Sequence, residues 1–140
     1  MIRIKNYGAK IILMALILMN LSVPAGAQNN FLAQFDPTGI WEADDHESRY
    51  DVTLCGDGSQ ICAKLVWIQP DKINDRNIQY LNKYVIYQAN RATPGEWRGQ
   101  IDIYGTKVGG SMKIHDQNTI KVVGCAFYVL CQGFSLDRIS

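Results

Sequence analysis

The sequence predicts an all-β domain, a single eight-stranded antiparallel up-and-down barrel, following an N-terminal signal peptide. Three observations lead there. Short segments rich in β-branched and aromatic residues alternate apolar and polar side chains with a period of two. Short polar turns separate them, so strands adjacent in sequence should be neighbours in space. After the leader no segment sustains a helical period, and closing eight one-face-dry strands on themselves removes the exposed edges.

The leader sets the compartment. Arg3, Lys5 and Lys10 form a positive start, Ile11 to Met19 is an unbroken apolar run, and Pro24 precedes a small-residue "AGA" ending at Ala27. This tripartite order is that of a cleaved secretory signal over residues 1–27, with Gln28 as the first residue after cleavage. A nine-residue apolar run is far short of the roughly 20 residues a spanning helix needs. The expected location is periplasmic or secreted, with no membrane span once the signal is removed. Loss of the leader removes three basic residues and no acid, taking 14 basic against 13 acidic side chains to 11 against 13, a net −2. That balance, with no polybasic run, excludes nucleic acid as a partner.

Residues 28–140 suit one domain. Strands are expected at 39–44, 49–55, 60–68, 83–89, 96–104, 107–115, 118–124 and 130–139. On the second, Tyr50, Val52 and Leu54 oppose Arg49, Asp51 and Thr53. On the fifth, Trp97, Ile101 and Ile103 oppose Arg98, Gln100 and Asp102. On the sixth, Val108, Met112 and Ile114 oppose Lys107, Ser111 and Lys113, and on the seventh Ile120 and Val122 oppose Thr119 and Lys121. The turns "GDGS", "TPGE", "YGT" and "HDQN" carry residues that tolerate turn dihedrals. The long connection, Gln69 to Asn82, leaves room for a short helix or a lid over one end of the barrel.

Cys55, Cys62, Cys125 and Cys131 all follow the leader, and an even count in an exported chain favours two disulfides. Three pairings exist. The local one, Cys55 with Cys62 and Cys125 with Cys131, is attractive because each pair brackets a turn-like segment, but sequence does not choose among them. Neither spacing is that of a zinc site, and only two histidines are present, so no metal is expected.

The last strand breaks the pattern. Arg138 has the same parity as the apolar Phe134 and Leu136, and a guanidinium on a dry face needs carbonyls or an aromatic plane. Trp41, on the first strand, shares its face with Gly39 and Ala43. In a closed barrel first and last strands are neighbours, so Arg138 is expected to stack on Trp41 over the space left by Gly39.

Gly39-x-Trp41 with a late Arg138 resembles the signature of the calycins, the lipocalin and fatty-acid-binding class of barrels. A longer resemblance spans nearly all of residues 28–140. "GIWEAD", "CGDGSQICAKLVWI", "DKIND", "GEWRGQI" and "IKVVGCAFYVLCQGFSLDRI" are similar, in order, to the landmarks of exported bacterial proteins grouped as domain-of-unknown-function family 2147. The resemblance implies a lipocalin-like barrel and an envelope location, and brings neither an activity nor catalytic residues. The chain departs from the family pattern in carrying Phe134 where a second tryptophan is usual, and "YGTKVGGSM" where a D-P…G-x-x-Y element is usual.

A lipocalin-like interior implies a small apolar ligand, with no cofactor. The expected lining is Tyr50 and Val52, Leu65 and Trp67, Ile86, Trp97 and Ile101, Met112, and Phe134, with Leu54, Ile114 and Val122 on the same face. The same residues would also fill a barrel with no cavity, in which case a protein or envelope polymer would bind at the loops. Catalysis has little support. No nucleophile elbow, zincin or phosphate-loop motif occurs. Asp44–Asp45–His46 and His115–Asp116 would make an acid–base or metal pair only if they met in space. Asp71 and Asn74 in "DKINDRN" lack calcium-loop spacing and are expected to cap a helix or hydrogen-bond within their loop.

Overall fold

The computed structural model describes residues 35–140, so the proposed signal and its cleavage point lie outside the described residues. Eight antiparallel strands run in chain order around a closed barrel: β1 (Gly39–Ala43), β2 (Ser48–Cys55), β3 (Gln60–Ile68), β4 (Tyr84–Thr93), β5 (Glu96–Ile103), β6 (Thr106–Ile114), β7 (Thr119–Ala126) and β8 (Leu130–Arg138). Closure is made by β1 on β8, with Trp41 opposite Arg138 and Ala43 opposite Leu136. The long connection holds two 3-10 turns, Pro70–Lys72 and Ile78–Tyr80. Cys55–Cys62 and Cys125–Cys131 are disulfide-bonded, the local pairing, and each bridges a hairpin close to its turn.

Up-and-down topology sorts the connections into two sets. The β2–β3, β4–β5 and β6–β7 turns lie at one end with both ends of the described chain. The β1–β2, β3–β4, β5–β6 and β7–β8 connections lie at the other. The first end is sealed. Trp41, Val52, Ile61, Met112, Ile114 and Ile120 are all at most 5% exposed there. The Trp41 indole N–H donates to Pro37 O (2.9 Å), and the Trp97 indole to Ser59 O (2.8 Å), so neither buried donor is unpaired. Arg138 lies over the sealed end with its guanidinium 4.3 Å from the Trp41 ring centre and 5.5 Å from that of Phe35. It donates to Thr38 O and Asp36 O, both at 2.7 Å, and to Gln117 O at 3.3 Å. One cation thus binds residues 35–38 across the barrel end.

Gly39 makes that arrangement fit. Its φ is +133°, a conformation side-chain-bearing residues rarely adopt, and a Cβ there would collide with Ser140 O and crowd the Arg138 guanidinium. Gly39→Ala is expected to destabilise the fold by about 1–3 kcal/mol, from backbone strain and displaced closure contacts. Urea unfolding should show a lower midpoint at unchanged slope.

Three strands depart from the sequence reading, two of them through bulges. Along β2 and β3, Arg49 faces Trp67 but Tyr50 faces Leu65, so Val66 is an extra residue and the inward parity flips. Ile68 turns inward, 6% exposed, and Trp67, expected inside, lies outside beneath the Arg49 guanidinium at 4.2 Å. In β4, expected to stop at residue 89, a second irregularity falls between Ile86 and Asn90. Gln88 sits there at φ +52° with its N–H on Cys62 Sγ (3.2 Å). Beyond it the strand pairs with β5 as far as Thr93 despite its polar sequence. Leu54, expected inward, is 48% exposed where β2 outruns the core.

On the outer face Glu42 accepts from Arg49 Nε (2.7 Å) and lies 2.6 Å from His46 Nδ1. The Arg49 bond foremost, then the His46 bond, hold the Glu42 carboxyl below its usual range. The Thr38 backbone N–H does the same for Asp36. A depressed carboxylate contributes stability above its unfolded-state pKa and loses it as pH falls through its folded value. The melting temperature should therefore fall as pH drops below about 4, the ordinary carboxylate range. Glu42→Gln should flatten that fall while lowering the melting temperature at neutral pH, which melts at half-unit pH steps will read.

Candidate functional site: an apolar cup at the open end

The interior is not filled along its whole length. Toward the open end lies a cavity of about 320 Å³, walled by Tyr50, Leu65, Ile86, Ile101, Val122 and Leu136 from six strands. It has room because small residues occupy inward positions. Ala63, 2% exposed, is on its wall, and Gly124 is opposite Gly110 across β6 and β7. A Cβ on Gly110 would run into the Ile101 side chain, so Ile101 leans over that glycine rather than across the barrel. The space is roughly twice the ~150 Å³ apolar cavity that accommodates a benzene ring, and falls at the lower end of small-molecule sites, about 300–1,000 Å³.

Above the cup is a polar vestibule of about 490 Å³ among Asp45, Glu47, Ser48, Lys72, Asn74 and Arg76. Tyr50, Tyr104 and Phe134 line both spaces and form the neck between them. The Tyr50 hydroxyl accepts from Ser48 Oγ (3.0 Å), and burial pushes its pKa up, so the phenol stays protonated and its O–H can donate to a ligand. Tyr104, at φ +49° in the β5–β6 turn, packs edge-on against Tyr80 with ring centres 5.7 Å apart. The neighbouring Gly105 N–H is fixed by Asp102 Oδ1 at 2.6 Å.

The 69–82 connection roofs the vestibule, and its own amides hold its shape. Asn77, the buried polar side chain of the described core, donates to Lys72 O (2.9 Å) and accepts from Asn74 N (2.9 Å). Asn74 Oδ1 accepts from the N–H groups of Arg76 and Asn77. The connection is latched to the β1–β2 turn by Lys72 Nζ on Glu47 (2.7 Å) and by Gln69 N–H on Glu47 O (2.8 Å). Asn74 bonds within its loop as expected, whereas Asp71, in the first 3-10 turn, makes no capping bond. Arg76 has its guanidinium 5.9 Å from the Tyr104 ring centre, at the rim of the vestibule.

The structure divides the residues expected to line a ligand site. Tyr50, Leu65, Ile86, Ile101 and Phe134 surround the cup. Val52, Trp97 and Met112 face inward but belong to the packed, sealed half. Trp67 is outside. Ala63, Tyr104, Gly124 and Leu136 were not expected; for the alanine and glycine the available signal was a small residue on an otherwise bulky inward face. His46 and His115 lie in turns at opposite barrel ends and do not meet. Among the described residues no group of three or more His, Cys, Asp or Glu side chains is gathered for a metal ion, and no helix is long and apolar enough to cross a membrane. No protein-family model matches the chain, and neither a curated protein nor a solved structure does.

Proposed function

We propose that this is an exported, lipocalin-like binding protein that carries a small molecule with an apolar body and a polar end. The apolar body fills the cup, and the polar end emerges past Tyr50 toward the vestibule. The observation that carries this reading is the open apolar cavity of about 320 Å³ inside a barrel whose other end is sealed. Burying an apolar body of that size against Leu65, Ile86, Ile101 and Val122 would supply the affinity, at about 25 cal/mol for each Å² removed from water. The Tyr50 phenol and the polar side chains above would orient the ligand. Export to an oxidising envelope compartment, and membership of family 2147, belong to the same proposal. The two formed disulfides support the compartment.

The test is native mass spectrometry of protein recovered from the periplasm. One co-purifying small molecule per chain, released on denaturation, is the expected result. Protein that emerges empty and takes up no apolar probe in a subsequent titration contradicts the reading. The intact mass of the same sample, that of a chain beginning at Gln28 and four hydrogens lighter than the reduced form, would report signal cleavage and the disulfides together.

A further inference from the structure

The β7–β8 hairpin carries an apolar tip that neither the barrel core nor the cup uses. Cys125 and Cys131 face each other across the ladder and are disulfide-bonded, and Ala126 opposite Leu130 is the last pair before the turn. Beyond that staple Phe127 is 85% exposed, Tyr128 99%, Val129 78% and Leu130 68%. Phe127 and Tyr128 occupy the two central turn positions at φ +53° and +62°. Those positions favour Asn-Gly, and bulky side chains avoid them. Two aromatic residues are thus held in an unfavourable conformation, on a covalently stapled turn, with their rings in water. Nothing in the barrel's stability accounts for that choice.

We infer that the tip is a membrane-docking element that inserts Phe127–Leu130 into the interfacial layer of a lipid bilayer and turns the mouth of the cup toward the bilayer. Four features favour a lipid surface. No residue from Val122 to Leu136 is charged, so entry strips no charge of water. The hairpin pairs its own backbone up to the turn, where Val129 N–H bonds Ala126 O, as an element entering lipid requires. The tip is a convex knob of four side chains, whereas a stable dimer needs roughly 20–30 residues from each side. Aromatic rings with a polar handle, as on Tyr128, are suited to the headgroup boundary. The tip also stands at the open end, and the adjacent β5–β6 turn adds Ile103 and Tyr104, 46% and 39% exposed, to the same rim. An apolar edge therefore runs along one side of the mouth. The inference concerns a surface separate from the cup and does not depend on what the cup holds.

The experiment is vesicle co-sedimentation with neutral phosphatidylcholine vesicles. It compares the exported wild-type protein with a Phe127→Asn/Tyr128→Gly variant prepared to the same chain ends. The variant supplies the residues the turn prefers, so it should melt at or above the wild-type temperature while its vesicle partitioning falls at least tenfold. Because the contact is apolar, wild-type partitioning should change less than twofold between 0.1 and 0.5 M salt. Wild type that stays in the supernatant overturns the inference, as does a variant that partitions within threefold of wild type. A concentration-dependent dimer that the variant abolishes, with no vesicle binding, would assign the tip to self-association instead.

Discussion

Replacing Trp41 by alanine is expected to cost about 3–5 kcal/mol of folding free energy, the range for a fully buried aromatic cut back to a methyl group. Trp41 is 0% exposed, and three interactions would fail together. Its ring packs in the sealed half, its indole N–H satisfies Pro37 O, and its face carries the Arg138 guanidinium. The losses should fall toward the upper end of that range because Arg138 ties residues 36–38 to β8 and needs that ring beneath it. Domains of this size have only about 5–15 kcal/mol in total, so the variant should unfold at much lower denaturant. Trp41→Phe, which retains a ring and loses the indole bond, should recover more than half of the difference. Chemical unfolding of the three proteins checks this, and a Trp41→Ala penalty below about 1 kcal/mol, within surface-substitution territory, contradicts the closure account.

The second large effect concerns the cup. Ala63→Phe places a ring in the cavity from a residue already on its wall, and the space of about 320 Å³ can take it. Binding of an apolar fluorescent probe should weaken by at least about a hundredfold, corresponding to roughly 2.8 kcal/mol. Stability should change little, since the added ring gains apolar burial while filling a void and not overpacking a filled core. The same substitution at Ala89 gives the contrast. Ala89 is 3% exposed and its Cβ lies against Gly99 in the packed half, so Ala89→Phe should destabilise the fold instead. Thermal melts and probe titrations of both variants separate occupancy of the cup from damage to the barrel.

The barrel was legible in the sequence because period-two alternation is a local property that one segment after another repeats. Where a bulge inserts one residue, that reading fails from the bulge onward. Trp67 is the case in point, since nothing in "LVWI" announces that Val66 is the extra residue; that is decided by Arg49 and Tyr50 on the neighbouring strand. Trp41 and Arg138 could be placed together because barrel closure makes the first and last strands neighbours, whatever their details. The cup is a different kind of property. A set of inward apolar residues is compatible with a filled barrel or a hollow one, and the outcome turned on Ala63 and Gly124 lying level with the cavity while the bulk of Trp41, Trp97 and Met112 lies at the other end. The roof was less legible still, because Asn77 acts on carbonyls and amides that only the folded 69–82 connection brings to it.

The barrel is sealed at one end and opens at the other on the cup proposed to hold a small apolar ligand. Titration of the purified protein, beside Ala63→Phe, with an apolar fluorescent probe no larger than two fused rings decides whether it does. Saturable binding of one probe per chain by the parent is expected, with its loss in Ala63→Phe at unchanged melting temperature. No saturable binding by the parent, or equal binding by a folded Ala63→Phe protein, would contradict it.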